Sequence, residues 1–288
     1  MLSRSTHATR SGWRAGERVA AALRTLGGAG CWTRAGPRRR WRAWHDDRPP
    51  AISRRGRPRA GEHPENLDLK RELFTKLDSW CPPETILATN TSGLPITQIA
   101  EGLAGARRII GVHYLNPAYL MPPVEVIPGE ATAPEVVERM RAALIALGKS
   151  PLVVRREVPG FLWNRLQFAL VREAFWLVQE GVATMEEVDL AIRQGLGRRW
   201  ATAGLFASMD LGGLDTFNNV GSYLFPHLSN ADTVPDFLRE RIAAGCFGAK
   251  SGSGFYDWPD DKLAATVARR NAALLAALRD DRDVSRES

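Results

Sequence analysis

Cysteine is scarce in this 288-residue chain, and the three present, Cys31, Cys81 and Cys246, are odd in number and far apart. They form neither a disulfide framework nor the paired spacing of a zinc site, so no metal is expected and a reducing compartment, the cytoplasm, is the simpler setting. No run of about 18 apolar residues occurs, which excludes a membrane-spanning helix. Lysine is missing from residues 1–60, although that segment holds 15 arginines and only three acids. Acids are thus short at one end only. The formal charge of +7 belongs to that end, because residues 61–288 carry 24 basic and 29 acidic side chains. With 44% apolar and 25% charged residues, the chain has the composition of an ordinary globular protein, long enough for one large domain or two of usual size.

The Arg-rich segment shows no sustained period of two or 3.6, and within it only "ERVAAALRTL" has a helical pattern. Three readings compete. A nucleic-acid arm would be basic but usually mixes in lysine. A transit peptide fits the arginines and the scarcity of acids. The third reading is an out-of-frame stretch. The codons of Gly30-Cys31-Trp32-Thr33-Arg34, read two bases later, encode Leu/Val/Met, then Leu, Asp and one of Pro, Ala, Ser or Thr. Four of the nine tryptophans also fall here. The expectation is that residues 29–63 are out of frame and that the proper sequence resumes at "PENLDLK".

From Pro64 onward the punctuation is regular. "PENLDLKRELFTKLDSW" places Leu69, Leu73 and Leu77 at four-residue steps, an amphipathic helix ended by Pro82-Pro83. "TILATNTSG", "RRIIGVHYL", "PVEVI" and "PLVVRRE" read as strands, and "LPITQIAEGL" as a short helix. "TAPEVVERMRAALIALGKS" reads as a helix capped by Thr132, with Glu135 as the capping-box acid and Gly148 as its stop. Strands alternating with helices predict a parallel α/β sheet. After Pro159-Gly160 the pattern becomes all-helical, and "FLWNRLQFALVREAFWLVQEG" is apolar around most of its circumference, as in a buried helix or a subunit contact. The expected divisions are an anomalous segment 1–63, a partial α/β domain 64–157 and an all-α domain 158–288.

His113 closes one predicted strand and Glu125 sits in the next. A histidine outside the carboxyl end of a sheet strand is placed to take a proton near neutral pH, and a carboxylate can orient it. A core histidine satisfied by a neighbouring acid would leave the same pattern. Asn90 and Ser92 in "TNTSG" fit a plain turn. Asn164 shares a helical stripe with Phe161, Phe168, Val171 and Phe175, where a buried amide needs a partner. Lys250 in "GAKSGSGFYDW" fits a solvated loop.

Taken in order, "TNTSGLPI", His113 twenty-one residues after Ser92, "HYLNP", Glu125 twelve residues later, "PGFLWNRL" and "KSGSGFY" resemble the 3-hydroxyacyl-CoA dehydrogenase family over about Pro64 to Trp258. That family includes 3-hydroxybutyryl-CoA, L-gulonate (lambda-crystallin) and carnitine dehydrogenases. The resemblance implies a truncated Rossmann-type parallel-sheet domain followed by an all-α C-terminal domain. The implied activity is NAD-dependent oxidation of the 3-hydroxyl of a short 3-hydroxyacyl-CoA. It assigns His113 as base, Glu125 as its partner, and Ser92 and Asn164 as holders of the reacting oxygen. Glu65, Lys70, Ser92, Asn116 and Lys250 match cofactor-contacting positions. It further implies a small-molecule partner, no nucleic acid or membrane, and a homodimer through the helical domain.

The family opens with a strand, a GxGxxG turn and a helix, and this chain has no such unit; "GGAG" at residues 27–30 follows no strand. Its absence predicts weak or lost NAD binding and an exposed sheet edge. Pro122-Pro123 stands where many acyl-CoA enzymes have Lys-Leu, and Leu205 and Ala207 depart from the usual Gly-Pro-Phe/Leu-Glu. "GLGRRWA" is closer to the gulonate and carnitine branches, "GLDTF" to the acyl-CoA branch. A structural, crystallin-like use of the fold and a nucleic-acid-binding arm are the competing classes.

Overall fold

The computed structural model describes residues 65–287, with side chains through residue 281. The helical pattern "ERVAAALRTL", the stretch 29–63 and Cys31 lie outside the described residues. The chain divides into two units, one of residues up to Leu162 together with Ala268 onward, the other Trp163–Val267.

In the first unit, helix α1 (Leu67–Trp80) starts where the Asn66 side chain accepts the Leu69 amide at 3.0 Å, with Asp68 in the first turn. Its buried residue is Phe74, flanked by Leu67, Leu77 and Cys81. The expected Leu69-Leu73-Leu77 stripe is corrected: Leu69 and Leu73 are 45% and 38% exposed. The reason is helical geometry. Steps of four rotate a stripe by about 40° each, whereas the seven-step series Leu67-Phe74-Cys81 drifts only about 20° per step.

Strands β1 (Leu87–Thr89), β2 (Ile109–Tyr114), β3 (Pro123–Pro128) and β4 (Ser150–Val153) form one sheet in sequence order, with β1 at an edge among the described residues. β1 pairs with β2 and β3 with β4 in parallel, as expected of a mainly parallel α/β sheet, while β2 and β3 are antiparallel. Helix α2 (Ile96–Ala100) separates β1 from β2, and α3 (Pro134–Ala146) separates β3 from β4. Between β2 and β3 runs only the loop of residues 115–122. A parallel crossover needs a dozen or more residues, so here the chain must reverse.

The middle strands are covered on both faces. Ile109 and Ile127 pack with Phe74, Ile96, Ile99 and Phe161, while Ile110, Val112, Val124 and Val126 pack with Val136 and Leu144 of α3. Alternation therefore sends Ile109, Gly111 and His113 to one face and their neighbours to the other. At Gly111 a Cβ would lie 2.8 Å from Ile96 Cδ1, so glycine is what lets α2 sit directly on the sheet. Each fully buried Ile or Val contributes roughly 1.5–3 kcal/mol, and this double layer is the core of the unit.

Helix α3 begins with Pro134 after Ala133, and Thr132 does not cap it. The Thr132 hydroxyl donates to the Ile109 carbonyl at 2.6 Å and accepts the Gly129 amide at 2.9 Å. Proline at the first helical position moves the cap one residue past Thr132, and the capping-box reading fails for that reason. Gly148, in left-handed backbone at φ +72°, follows the helix end.

Arg108 ties the unit together. Buried at 8% exposure, its guanidinium pairs with Asp78 (Nη2 to Oδ1, 2.8 Å) and donates to the carbonyls of Asp78, Cys81, Pro82 and Thr85. Asp78 also accepts the Gly105 amide at 3.0 Å. One side chain thus satisfies the open carbonyls beyond α1 and anchors the start of β2.

The second unit is helical: α4 (Trp163–Gln179), α5 (Met185–Leu190), a π-helical turn (Ala191–Leu196), α6 (Gly197–Ala203), α7 (Leu205–Gly212), α8 (Leu214–Leu224) and α9 (Asp236–Ala243). Thr184 and Glu187 form a reciprocal capping box at α5. Phe175, Phe237 and Phe255 meet with ring centroids 5.5–6.3 Å apart. Helix α10 (Asp260–Glu287) follows, and its residues from Ala268 on belong with the first unit. No helix among the described residues is long and apolar enough to cross a membrane.

Candidate active site

The antiparallel register of β2 and β3 sets His113 opposite Glu125. Both are buried, at 5% and 1% exposure, and His113 Nδ1 lies 2.6 Å from Glu125 Oε2. Glu125 Oε1 accepts the Leu162 amide at 2.9 Å. A carboxylate this far from water is tolerable only when its oxygens are engaged. The amide that engages it comes from a tight turn in which Gly160 and Phe161 take left-handed backbone, at φ +76° and +50°. For phenylalanine that conformation costs roughly 1–3 kcal/mol. Burial of its ring, 6.0 Å from the His113 ring, offsets the strain.

The pair has a chemical consequence. With Nδ1–H donated to Glu125, the other ring nitrogen, Nε2, carries the lone pair and can accept a proton. Glu125 then stabilises the imidazolium that results. A buried acid–histidine pair with one nitrogen left for proton transfer has the geometry of a general base.

The Ser92 turn reaches this region. A Cβ on Gly93 would lie 3.7 Å from the amide nitrogen of Gly160. The turn is held from two sides: Asn90 Oδ1 accepts the Tyr114 amide at 2.9 Å, and Glu65 accepts the Thr91 hydroxyl at 2.7 Å and the Ser92 amide at 3.0 Å. Glu65, expected to touch a cofactor, is therefore engaged in fixing the turn that carries Ser92. Lys70, one helical turn along α1, is half-buried, and its ammonium has no partner among the described residues. Asn116 is exposed in the loop after β2, beside the cis Asn116–Pro117 bond. Lys149 underpins that loop, donating to the carbonyls of Ala118 at 2.5 Å and Met121 at 2.8 Å, and burial holds its ammonium below the usual lysine range.

The structure thus gathers His113, Glu125, Phe161 and the Ser92 turn, with Glu65 clamped to it, and places Lys70 and Asn116 on neighbouring segments. Asn164 lies at the start of α4 and Lys250 is exposed in the Gly248–Ser253 hairpin, both in the second unit. Sequence reasoning missed Lys149, Phe161 as a wall of the site, and the Leu162 amide. Gly160 before two apolar residues was the one signal of that turn. A cavity of about 460 Å³ lined by Asp78, Arg107, Arg108, Glu135 and Arg139 lies at the opposite end of β2 and includes none of these residues. Among the described residues no cluster of His, Cys, Asp or Glu is arranged for a metal ion.

The donor set fits a polar dinucleotide ligand: an exposed amide at Asn116, a half-buried ammonium at Lys70 with no partner among the described residues, and a serine turn fixed by hydrogen bonds to Glu65 and Asn90. Residues 62–158 match the 3-hydroxyacyl-CoA dehydrogenase NAD binding domain, and residues 160–258 match the C-terminal domain of that family. The 5-formyl-3-hydroxy-2-methylpyridine 4-carboxylate 5-dehydrogenase of Mesorhizobium japonicum is 38% identical over 216 residues, covering 75% of this chain and 70% of its own. A crystal structure of a dehydrogenase of that activity, described as an NAD+-dependent dismutase, superposes with a TM-score of 0.72 at 38% identity, over 75% of this chain and 70% of the other. A probable 3-hydroxybutyryl-CoA dehydrogenase of Bacillus subtilis is 40% identical, over 68% of this chain and 67% of its own. The L-carnitine dehydrogenase of Pseudomonas putida is 45% identical, over 71% of this chain and 67% of its own.

Proposed function

This chain belongs to the 3-hydroxyacyl-CoA dehydrogenase family of NAD-dependent oxidoreductases, and from that premise we propose that it oxidises the 3-hydroxyl of a short 3-hydroxyacyl-CoA, with His113 taking the hydroxyl proton. The observation that carries the reading is the buried His113–Glu125 pair closed by the Leu162 amide. Glu125 fixes the imidazole so that Nε2 is the basic nitrogen, and it offsets the positive charge once the proton has moved. Ser92, on a turn clamped by Glu65, and Asn164 are assigned to the reacting oxygen. Asn116, Lys70 and Lys250 are assigned to the cofactor. NAD, when bound, supplies the hydride acceptor. The chain carries no GxGxxG turn, so its affinity for NADH is expected to be weaker than micromolar.

The P. putida relative favours a second reading, oxidation of a CoA-free 3-hydroxy acid of the carnitine kind. Release of NADH, followed by absorbance with 3-hydroxybutyryl-CoA, L-carnitine and L-gulonate in turn, separates the two. Turnover with the thioester alone supports the first reading, and turnover with L-carnitine alone moves the assignment to the second. No turnover at saturating NAD with any of them would overturn both. A homodimer through the helical unit in a cytoplasmic setting completes the proposal. Its support is the apolar surface there, including Phe168, Phe206, Leu211 and Phe225 at 60–83% exposure.

A further inference from the structure

Both matched family segments end by residue 258, and helix α10 begins at Asp260. Its distal part nevertheless packs on the loop that presents Asn116. Leu120 is 1% exposed, and the side chains packed against it are Leu274 and Leu275. One turn earlier, Asn271 Nδ2 donates to the Tyr119 hydroxyl oxygen at 3.2 Å. Positions 271, 274 and 275 share one helix face, so a single face of α10 grips two successive loop residues. Inside the loop the amides of Leu120 and Met121 both donate to the Pro117 carbonyl, at 2.8 and 3.1 Å. Lys149 holds the other side through Ala118 and Met121. The loop has only eight residues and no secondary structure of its own, so its order comes from these two grips.

We propose that α10 is a positioning element of the active site: by seating Leu120 and Tyr119 it pre-orders the loop and presents Asn116 to the cofactor. The proposal rests on the dehydrogenase reading for its consequence, whereas the coupling of helix to loop is a property of the chain alone. A loop ordered before binding costs nothing further to order when the ligand arrives, so loosening it weakens binding more than it slows chemistry. Asn271, Leu274 and Leu275 act through the loop and are positioning residues.

The test compares the full chain with the double substitution Leu274→Ala/Leu275→Ala, and with a control, Ala273→Ser, at an exposed position of the same helix. Hydrogen exchange reads the loop and NADH titration reads the site. The expected result is about tenfold faster exchange at the Leu120 and Met121 amides, unchanged exchange in β2 and β3, and NADH Kd raised about tenfold with kcat within about twofold. The control should change neither. Unchanged loop exchange, or exchange that rises equally across β2 and β3, overturns the proposal, since the helix would then be a general stabiliser. If the double variant fails to fold, the milder cycle of Tyr119→Phe and Asn271→Ala decides it: non-additive loop exchange supports the coupling and additive effects refute it. Loss of NADH binding and turnover already in the unsubstituted chain would sink the functional reading, and the exchange comparison would still decide whether α10 holds the loop.

Discussion

The sheet unit and the helical unit solve the problem of burial in different ways. In the first, β2 and β3 are covered on both faces, and Thr91, Arg108, His113 and Glu125 are buried with partners; among the described residues no buried side-chain nitrogen or oxygen lacks a hydrogen bond. In the second, among the described residues no hydrophobic side chain is buried, and Ser208 is its one buried polar side chain. Phe206, Leu211 and Phe225 stand 74–83% exposed. A two-faced sheet closes its own core, whereas helices with apolar surface left over need another surface to cover it. The proposed chemistry, which depends on a dry ion pair, is accordingly assigned to the first unit, and the proposed association to the second.

Removing the proposed proton acceptor should show the sharpest separation between them. His113→Ala is expected to lower kcat by about 10²–10⁴-fold, with NADH Kd and the state of association unchanged. Glu125→Gln keeps shape and burial but loses the charge that orients the imidazole, so kcat should fall by about 10²-fold or more. Steady-state rates beside sedimentation of the same samples check both. A His113→Ala protein within about threefold of full activity would reduce the pair to a structural one.

The next effect is on stability and falls on the first unit alone. Arg108→Ala would leave Asp78, 13% exposed, without its charge partner and remove the side-chain donor from four carbonyls, of which that of Pro82 keeps the Thr85 amide. A loss of about 3–5 kcal/mol in urea unfolding is expected. Loss below about 1 kcal/mol would show that the carbonyls find water instead.

Much of this was legible in the residues. The four strands could be read from their apolar runs, and the histidine and glutamate that face each other from the order of the motifs. Arg108 could not, because its partners lie 23–30 residues away and most are backbone carbonyls that carry no sequence signal. The antiparallel turn between β2 and β3 was legible in principle, since eight residues cannot hold a crossover helix, but the βα alternation around it dominated the pattern. Thr132 was misassigned because T-x-x-E marks a cap only when no proline shifts the helix start, while the same motif at Thr184–Glu187 is a true capping box. That "LAATVARRNAALLAALRD", rich in helix formers and within the stretch expected to be helical, belongs with the sheet unit was not legible, since its anchor, Leu120, lies in a loop more than 150 residues earlier.

Association should respond in the second unit and not in the first. If Phe206, Leu211 and Phe225 lie in a subunit contact, replacing any one of them with serine should raise the dimer dissociation constant by about tenfold or more, read by sedimentation equilibrium. Leu69→Ser and Leu73→Ser, exposed on α1 of the sheet unit, should leave it unchanged. The reverse pattern would move the interface to the sheet unit.

The smallest effect compares one acid from each unit. Burial pushes the Asp78 carboxyl up, but the Gly105 amide and the Arg108 guanidinium outweigh it and hold the group below its ordinary 3.8. A carboxyl depressed by folding binds protons more readily when unfolded, so it adds stability above pH 3.8, and that stability is lost as pH falls through the folded value. Asp78→Asn should thus be less stable than the parent chain at neutral pH, by about 1–3 kcal/mol, and the gap should close on acidification below pH 3.8. Asp236 on α9, 81% exposed and paired only with Arg239 three residues on, offers the contrast. Solvent screens that pair, so Asp236→Asn should give no measurable change at any pH. Equal pH profiles for the two substitutions would mean that Asp78 is solvated in the folded chain, and the difference in burial between the units would then not extend to their charges.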